Sequence, residues 1–251
     1  MNLCVDIGNS SAKLAVFKGN GIIDFIDIRT EFLKNNRFNE KENEIFFKKY
    51  INNDIPVAVS SVVPEATDNL INHMKKYCDV DIRTVKELDY ELGIDYEGLI
   101  GEDRLMAVYA ASKIFGPSTI IVDIGSALTF SVLGKDNRFK GGMISLGPFN
   151  ILKALSEKTS QIPLIDLKVP GNNVGQNTEE AVNSGVFWGI IGAIEKSVRQ
   201  IEENVDDKCK VILTGGFSVL FVEYIDRVVE IDPFLVLRGI NYLLDKNNNI
   251  Y

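Results

Sequence analysis

Histidine occurs once in these 251 residues, at His73, and this scarcity removes several mechanisms at the outset. A serine activated by a histidine and a carboxylate would have to use that one ring. His73 sits in the polar helical stretch Asn69 to Lys76, where it is expected to face solvent. The three cysteines, Cys4, Cys78 and Cys209, stand far apart with no CxxC pairing. One histidine and scattered thiols leave no zinc site of the usual spacing. The pattern is that of reduced cytosolic thiols, not of a disulfide framework. Any catalytic base is therefore expected to be a carboxylate. A basic surplus is missing too. The formal net charge is −8, whereas a sequence-independent hold on nucleic acid needs a basic face that displaces counterions. An acidic chain can still hold a nucleotide, because a few local cations and backbone N–H groups suffice for its phosphates. There is no long apolar run and no basic leader. Neither a signal peptide nor a membrane span is expected, and the chain reads as cytoplasmic.

What the sequence does contain is a repeated pattern. Val5-Asp6-Ile7-Gly8-Asn9-Ser10 is followed by Lys13 to Phe17 and the turn Lys18-Gly19-Asn20-Gly21. Val122-Asp123-Ile124-Gly125-Ser126 is followed by Leu128 to Leu133 and the turn Gly134-Lys135-Asp136-Asn137. Each reads as a buried strand, a glycine turn, a second strand, another turn and a third strand. So long a spacing indicates domain duplication and not a solenoid, unless VDIG is only common strand-to-turn punctuation. Around the hairpins, Val57–Ser61 and Lys210–Thr214 read as strands. Glu65–Tyr77, Glu102–Phe115, Pro148–Lys158, Thr178–Asn204 and Pro233–Asp245 read as helices. Gly116-Pro117 ends the Glu102–Phe115 helix, since proline cannot continue it. It is the candidate boundary between domains 1–116 and 117–251. Alternating strands and helices make the fold class α/β, with mixed sheets flanked by helices. The stretch Arg29 to Asn53 reads as a loop and a connecting helix without chemistry. The asparagine-rich tail, Lys246 to Ile250, is expected to fray.

Four segments could carry chemistry. In Asp6-Ile7-Gly8-Asn9-Ser10-Ser11-Ala12-Lys13 the glycine allows a tight turn whose backbone N–H groups can point at one anion. Asp6 at the strand end could hold Mg²⁺ through water, and Asn9, Ser10 and Lys13 could contact phosphate oxygens. The alternative is an ordinary hairpin with polar turn residues. The recurrence at Asp123-Ile124-Gly125-Ser126 favours two loops that clamp a nucleotide. Gly101-Glu102-Asp103-Arg104 opens a helix, where acids are common caps. Arg104 does not fit that reading, because a cation in the first turn opposes the dipole. The pair could instead place a general base beside an anion contact. Thr214-Gly215-Gly216 is either a tight strand-to-helix turn or a place where a nucleoside approaches the backbone. On the Thr178–Asn204 helix, Gly185, Gly189 and Gly192 lie near one face beside Trp188, and close helix packing is their commonest role. That helix is apolar over much of its surface, so it is buried within one subunit or against a second.

In this order the motifs resemble the type III pantothenate kinases, members of the acetate-kinase, sugar-kinase, Hsp70 and actin superfamily. The resemblance implies two duplicated RNase-H-like, actin-like ATPase domains with an active cleft between them. It implies ATP-dependent phosphorylation of pantothenate to 4′-phosphopantothenate, the entry step to coenzyme A, by a homodimer. Asp6 to Lys13 resembles the first phosphate loop, with Asp6 serving Mg²⁺. Gly101, Glu102, Asp103 and Arg104 match the family's Gly-x-Asp-Arg motif, in which the Asp is the base and the segment touches pantothenate. Tyr96 and Thr178 would also face that substrate. Asp123 would serve a monovalent cation, K⁺ or NH₄⁺, and Ser126 would contact ATP. Gly141-Gly142-Met143-Ile144 with Gly147 and Thr214-Gly215-Gly216 resemble later family segments. Ser131 departs from an aspartate, which weakens a metal role there, and Leu146 replaces a proline. Two other readings share the fold: a kinase for another small alcohol, and a non-catalytic accessory protein.

Overall fold

The computed structural model describes residues 1–38, 41–51 and 55–248. In chain order the elements are β1 (Asn2–Ile7), β2 (Ser11–Lys18), β3 (Gly21–Arg29), α1 (Thr30–Lys34), α2 (Lys41–Tyr50), β4 (Val57–Ser61), α3 (Pro64–Met74), β5 (Ile82–Thr84), β6 (Gly93–Ile94) and α4 (Glu102–Ile114). They continue as β7 (Thr119–Ile124), β8 (Ala127–Leu133), β9 (Arg138–Leu146), α5 (Pro148–Lys158), α6 (Thr178–Val205), β10 (Lys210–Thr214), α7 (Ser218–Phe221), β11 (Val228–Ile231) and α8 (Leu235–Asn248).

The duplication is visible in the strand order. One sheet runs β3-β2-β1-β4-β5 and the other β11-β10-β7-β8-β9-β6. Read from β9, the second repeats the first, with β7 to β11 standing for β1 to β5. In both, two hairpins pair antiparallel, while β4 and β10 join β1 and β7 in parallel. The sheets are therefore mixed, as the alternation of hairpins and strand–helix units requires. β6 is the one addition.

By compactness the chain falls into two units. The first holds Met1–Leu92, Glu97–Ala110 and Leu235–Tyr251, and the second holds Gly93–Tyr96 and Ala111–Phe234. These are not two contiguous halves, because α8 returns to pack on β1 and β4. Asn2 Nδ2 donates to Asn241 Oδ1 at 2.9 Å, and the backbone of Met106 comes so close to α8 that a Cβ at Gly239 would lie 2.1 Å from its oxygen. Nothing local to Leu235–Asn248 announces this return.

In the first unit Leu3, Val5, Ile7, Ala12, Leu14, Val16, Val57 and Val59 form one buried sheet face. The 29–53 stretch contains two helices, not one, and α2 buries Phe46, Phe47 and Tyr50 in that core; Asn52 and Asn53 lie outside the described residues. His73 corrects the expectation of a solvent-facing ring. It is half-buried and stacked on Phe38 at 3.9 Å, with Phe47 edge-on at 5.1 Å. Desolvation there, then the Lys76 charge, pushes its pKa below the usual histidine value. The tail also differs. α8 runs on to Asn248, with Lys246 paired to Glu91 at 3.1 Å and Asn247 bonded to Asp89, while Asn249 and Ile250 lie outside the described residues.

In the second unit α6 packs Val186, Phe187, Ile190, Ile191, Ile194, Val198 and Ile201 onto the sheet. Its end is tied by Glu202, buried and bidentate to Arg227 at 2.7 and 2.5 Å, which also accepts from the Cys209 N–H at 3.0 Å. The guanidinium holds the Glu202 carboxyl at about 2. The glycines of α6 pack against nothing: a Cβ at Gly185, Gly189 or Gly192 would meet no described atom within 4 Å. The expected close helix contact is absent within the described chain.

Candidate active site

In the first unit the loop from Gly8 to Ser10 joins β1 to β2. The Gly8 N–H donates to Ser11 O at 2.9 Å, and Asp6 pairs in register with Lys13. Gly8 does not adopt a left-handed φ, and a Cβ there would only touch Ser11 O at 3.4 Å. The glycine is thus not demanded by the turn; what it provides is bare backbone. Ile7 and Ala12 turn their side chains into the core, Asp6 and Lys13 are half-buried, and Asn9 and Ser10 are exposed. Thr30, fully buried, braces the loop: its Oγ1 donates to Gly8 O at 2.7 Å and its N–H to Ser10 O at 3.0 Å. Sequence reasoning missed Thr30, which lies in the stretch judged to lack chemistry.

The Gly101–Arg104 motif arrives at the same end of the strands. Ile7 pairs in register with Ser61, and the Ser61 N–H donates to Glu102 Oε2 at 3.0 Å. Lys86 meets the other Glu102 oxygen at 2.9 Å. Glu102 therefore pins the start of α4 to the carboxyl end of β4, beside β1, where open parallel pairs present their ligand sites. Asp103 turns back over the helix start, with Oδ1 accepting the Arg104 N–H at 2.7 Å. Its Oδ2 accepts no hydrogen bond among the described residues. A Cβ at Gly101 would lie 2.5 Å from Asp103 Oδ1, so the glycine makes room for that carboxylate. Arg104 is buried.

In the second unit Asp123 ends β7 and the Gly125–Ser126 loop leads into β8. Gly125 N–H donates to Ala127 O at 2.9 Å, which makes this loop one residue shorter than the first. Asp123 pairs with Thr129, where Asp6 has Lys13. The repeat thus keeps the carboxylate and changes its neighbour. The loop is buttressed from the start of α5: Gly147 N–H at 3.0 Å and Asn150 Nδ2 at 2.7 Å both donate to Ser126 O. From the other side comes the Thr214-Gly215-Gly216 turn. Gly215 has φ +92°, and a Cβ there would lie 2.3 Å from Asp123 Oδ1. Gly215 is thus required by the tight turn, whereas Gly216 borders open space.

Tyr96 and Thr178 lie on other elements of the second unit. Tyr96 follows β6 at the sheet edge and lies against Phe139 and Gly141, where a Cβ would lie 3.0 Å from its ring. A two-residue strand is short to hold itself, and Asp95 fastens it: Arg138 and Lys140 both reach its carboxylate at 2.6 Å. Those two hydrogen bonds hold the Asp95 carboxyl at about 2. Thr178 opens α6 behind the Asn177 cap, whose Oδ1 accepts the Glu180 N–H at 3.0 Å. It lines an apolar groove of about 880 Å³ with Leu128, Leu146, Ile151, Gly185 and Gly189. Ser131 is buried in β8, and Leu146 is exposed.

Two glycine loops thus sit on equivalent strands of the two units, and a carboxylate stands at a helix start in the first. A profile of the type III pantothenate kinases matches residues 2–200. The chain belongs to that family. A type III pantothenate kinase from Sulfurihydrogenibium is 30% identical over 253 residues, spanning 98% of this chain and all of that protein. Among solved structures, a Campylobacter jejuni protein assigned to the Baf transcriptional activators superimposes with a TM-score of 0.64 at 23% identity, covering 98% and 99% of the two chains. The activator of 2-hydroxyisocaproyl-CoA dehydratase from Clostridium difficile, with ADPNP bound, does so at 0.54 and 14% identity, covering 99% and 96%. At such identities the two structures establish the fold alone. The protein is a pantothenate kinase, an enzyme of coenzyme A biosynthesis. Its kinase membership implies ATP with an associated divalent metal.

Proposed function

We propose that this pantothenate kinase moves the γ-phosphoryl group of ATP onto the 4′-hydroxyl of pantothenate with Asp103 as its base. The observation that carries this reading is the Asp103 carboxylate, one oxygen tied to the Arg104 N–H and the other unengaged among the described residues. The substrate oxygen forms a bond to phosphorus as the bond to the ADP oxygen breaks, and the hydroxyl proton passes to Asp103 Oδ2. Because an alcohol is a weak acid, that proton leaves late, and most of the acceleration comes from positioning and charge neutralisation. Gly101, Glu102, Arg104, Tyr96 and Thr178 hold pantothenate in this reading. Asn9, Ser10, Lys13, Ser126 and the backbone from Asp6 to Lys13 hold the phosphates. A coupled ADP-release assay tests it: turnover should require pantothenate and respond to K⁺ or NH₄⁺. ADP release that ignores pantothenate would overturn it.

No cluster of three or more His, Cys, Asp or Glu able to hold a metal exists among the described residues. A protein cage is therefore not what these residues offer. Asp6 alone fits Mg²⁺, which keeps several waters and shares one or two carboxylates with substrate phosphates. Bound there, the ion would neutralise charge on the transferring phosphates. Asp123, closed in by the Gly215 turn, is the candidate for the monovalent cation, K⁺ or NH₄⁺. Asp6→Asn is expected to raise the Mg²⁺ requirement, and Asp123→Asn to change chiefly the dependence on the monovalent ion. Titration of each ion against each variant separates them. Identical response curves would mean that the two loops share one task.

The working form in this reading is a cytoplasmic homodimer that engages neither nucleic acid nor membrane. No helix among the described residues is long and apolar enough to cross a membrane. The support for a dimer is the bare glycine face of α6 beside the apolar groove that Thr178 lines. Most homo-oligomers close by a two-fold axis. Ala193→Glu, on the exposed side of that groove, is expected to yield monomers and raise the KM for pantothenate together. Sedimentation at micromolar concentration checks the first and kinetics the second. A fully active wild-type monomer would exclude the dimer.

A further inference from the structure

The face of the first sheet opposite its core carries a short polar row. Ile7, Val5, Val57, Val59, Ala12 and Leu14 point into the core, so their alternates point the other way. Lys13 on β2, Asp6 on β1 and Ser60 on β4 are register partners, Lys13 with Asp6 and Asp6 with Ser60. They therefore stand side by side on one face, at the loop end of the strands. Ser60 is fully buried, and its Oγ has no hydrogen-bond partner among the described residues. A hydroxyl left so costs about 1–3 kcal/mol, and such a group asks for an explanation. Desolvation is not the only available answer, because the strand neighbour of Ser60 is a carboxylate. Adjacent strands lie about 4.8 Å apart, so a serine Oγ and an aspartate on paired positions of one face can meet.

We propose that Ser60 is a positioning residue for Asp6: its hydroxyl donates to the Asp6 carboxylate when Asp6 holds the metal–nucleotide, fixing which oxygen is presented. This rests on the reading of Asp6 as the Mg²⁺ residue. Ser60 need not touch the ion. The group it acts on is one that must be negatively charged and aimed, and a hydrogen bond to the charged form favours both. The neighbouring serine has a different duty, since the Ser61 N–H is already engaged by Glu102.

The test is Mg²⁺-dependent binding of an imido analogue of ATP, measured by calorimetry without turnover. Ser60→Ala is expected to raise the half-saturating Mg²⁺ about 10-fold, the usual scale for an outer-shell partner. The thermal midpoint of the metal-free protein should hold or rise, because the removed hydroxyl has no partner among the described residues. Asp6→Asn should weaken the Mg²⁺ dependence by itself, and Ser60→Ala should add nothing on that background. An unchanged Mg²⁺ requirement in Ser60→Ala, with Asp6→Asn impaired, overturns the positioning role and leaves the Asp6 reading intact. Asp6→Asn with a normal requirement overturns the Asp6 reading itself. Additive effects of the two changes would show Ser60 acting independently of Asp6, and would also overturn the proposal. Ser60→Cys, close in size with a weaker donor, should fall between wild type and Ser60→Ala; full wild-type behaviour of both variants sinks the idea.

Discussion

Asp103→Asn is expected to abolish measurable turnover while the protein folds and binds nucleotide as before. The substitution changes one atom of the side chain. Asparagine keeps an oxygen that can accept the Arg104 N–H, which Asp103 Oδ1 now does at 2.7 Å. The start of α4 should not shift, because it is Glu102, not Asp103, that fastens it to β4 through the Ser61 N–H. What is lost is the proton acceptor, since an amide nitrogen in place of Oδ2 cannot take the hydroxyl proton. Removing a positioned base costs on the order of 10²–10⁴ in rate. Steady-state kinetics at saturating ATP and pantothenate measure the loss, and nucleotide calorimetry and thermal unfolding measure what stays. A variant with near-normal turnover would remove Asp103 from the role of base.

Gly147→Ala is expected to damage catalysis nearly as much, from outside any motif of charged residues. Its backbone, φ −79° and ψ 169°, suits any residue, so the penalty is not conformational. A Cβ at this position would lie 2.0 Å from Gly125 O and 2.9 Å from the Ser126 carbonyl carbon and oxygen. These are backbone atoms of the second loop and can yield only if the loop moves. The move would break the Gly147 N–H bond to Ser126 O and pull Asn150 away from the same oxygen. A displacement of about 1 Å in a positioning element can cost roughly 10²-fold in rate, and overpacking of this kind costs about 1–3 kcal/mol of stability. Gly171→Ala is the control: nothing lies within 4 Å of its Cβ, and neither activity nor the unfolding midpoint should change. Equal behaviour of the two variants would show that Ser126 does not need the α5 buttress.

Much of the site could be read before the fold was known, because its parts are local. A carboxylate at a strand end, a glycine and hydroxyls in the next turn, and a Gly-Glu-Asp-Arg helix start are each written within eight residues. The repetition of the first of these at Asp6 and Asp123 foretold the duplicated three-stranded hairpin unit, since each copy carries the periodicity of its own hairpin. Other parts were illegible for one reason. Thr30 braces Gly8, Asn150 braces Ser126, Asp95 meets Arg138 and Ser60 flanks Asp6 across 22, 24, 43 and 54 positions of sequence. Nothing in a serine or threonine announces a partner that strand pairing supplies. His73 misled for the same reason, because its aromatic neighbours Phe38 and Phe47 come from outside its own helix.

The sequence by itself determined the hairpins, the longer helices, the duplication and the family, because strand alternation, turn glycines and motif order are properties of neighbouring residues. Only the tertiary structure decided which bonds hold those motifs in place. It brought α8 back to the first unit, opened the glycine face of α6, engaged Glu102 with β4 and left one Asp103 oxygen unengaged among the described residues. These outcomes depend on strand register and on which surfaces meet. A shift of one residue in β4 would turn Ser60 from the face of Asp6 into the apolar core, without altering a single local signal.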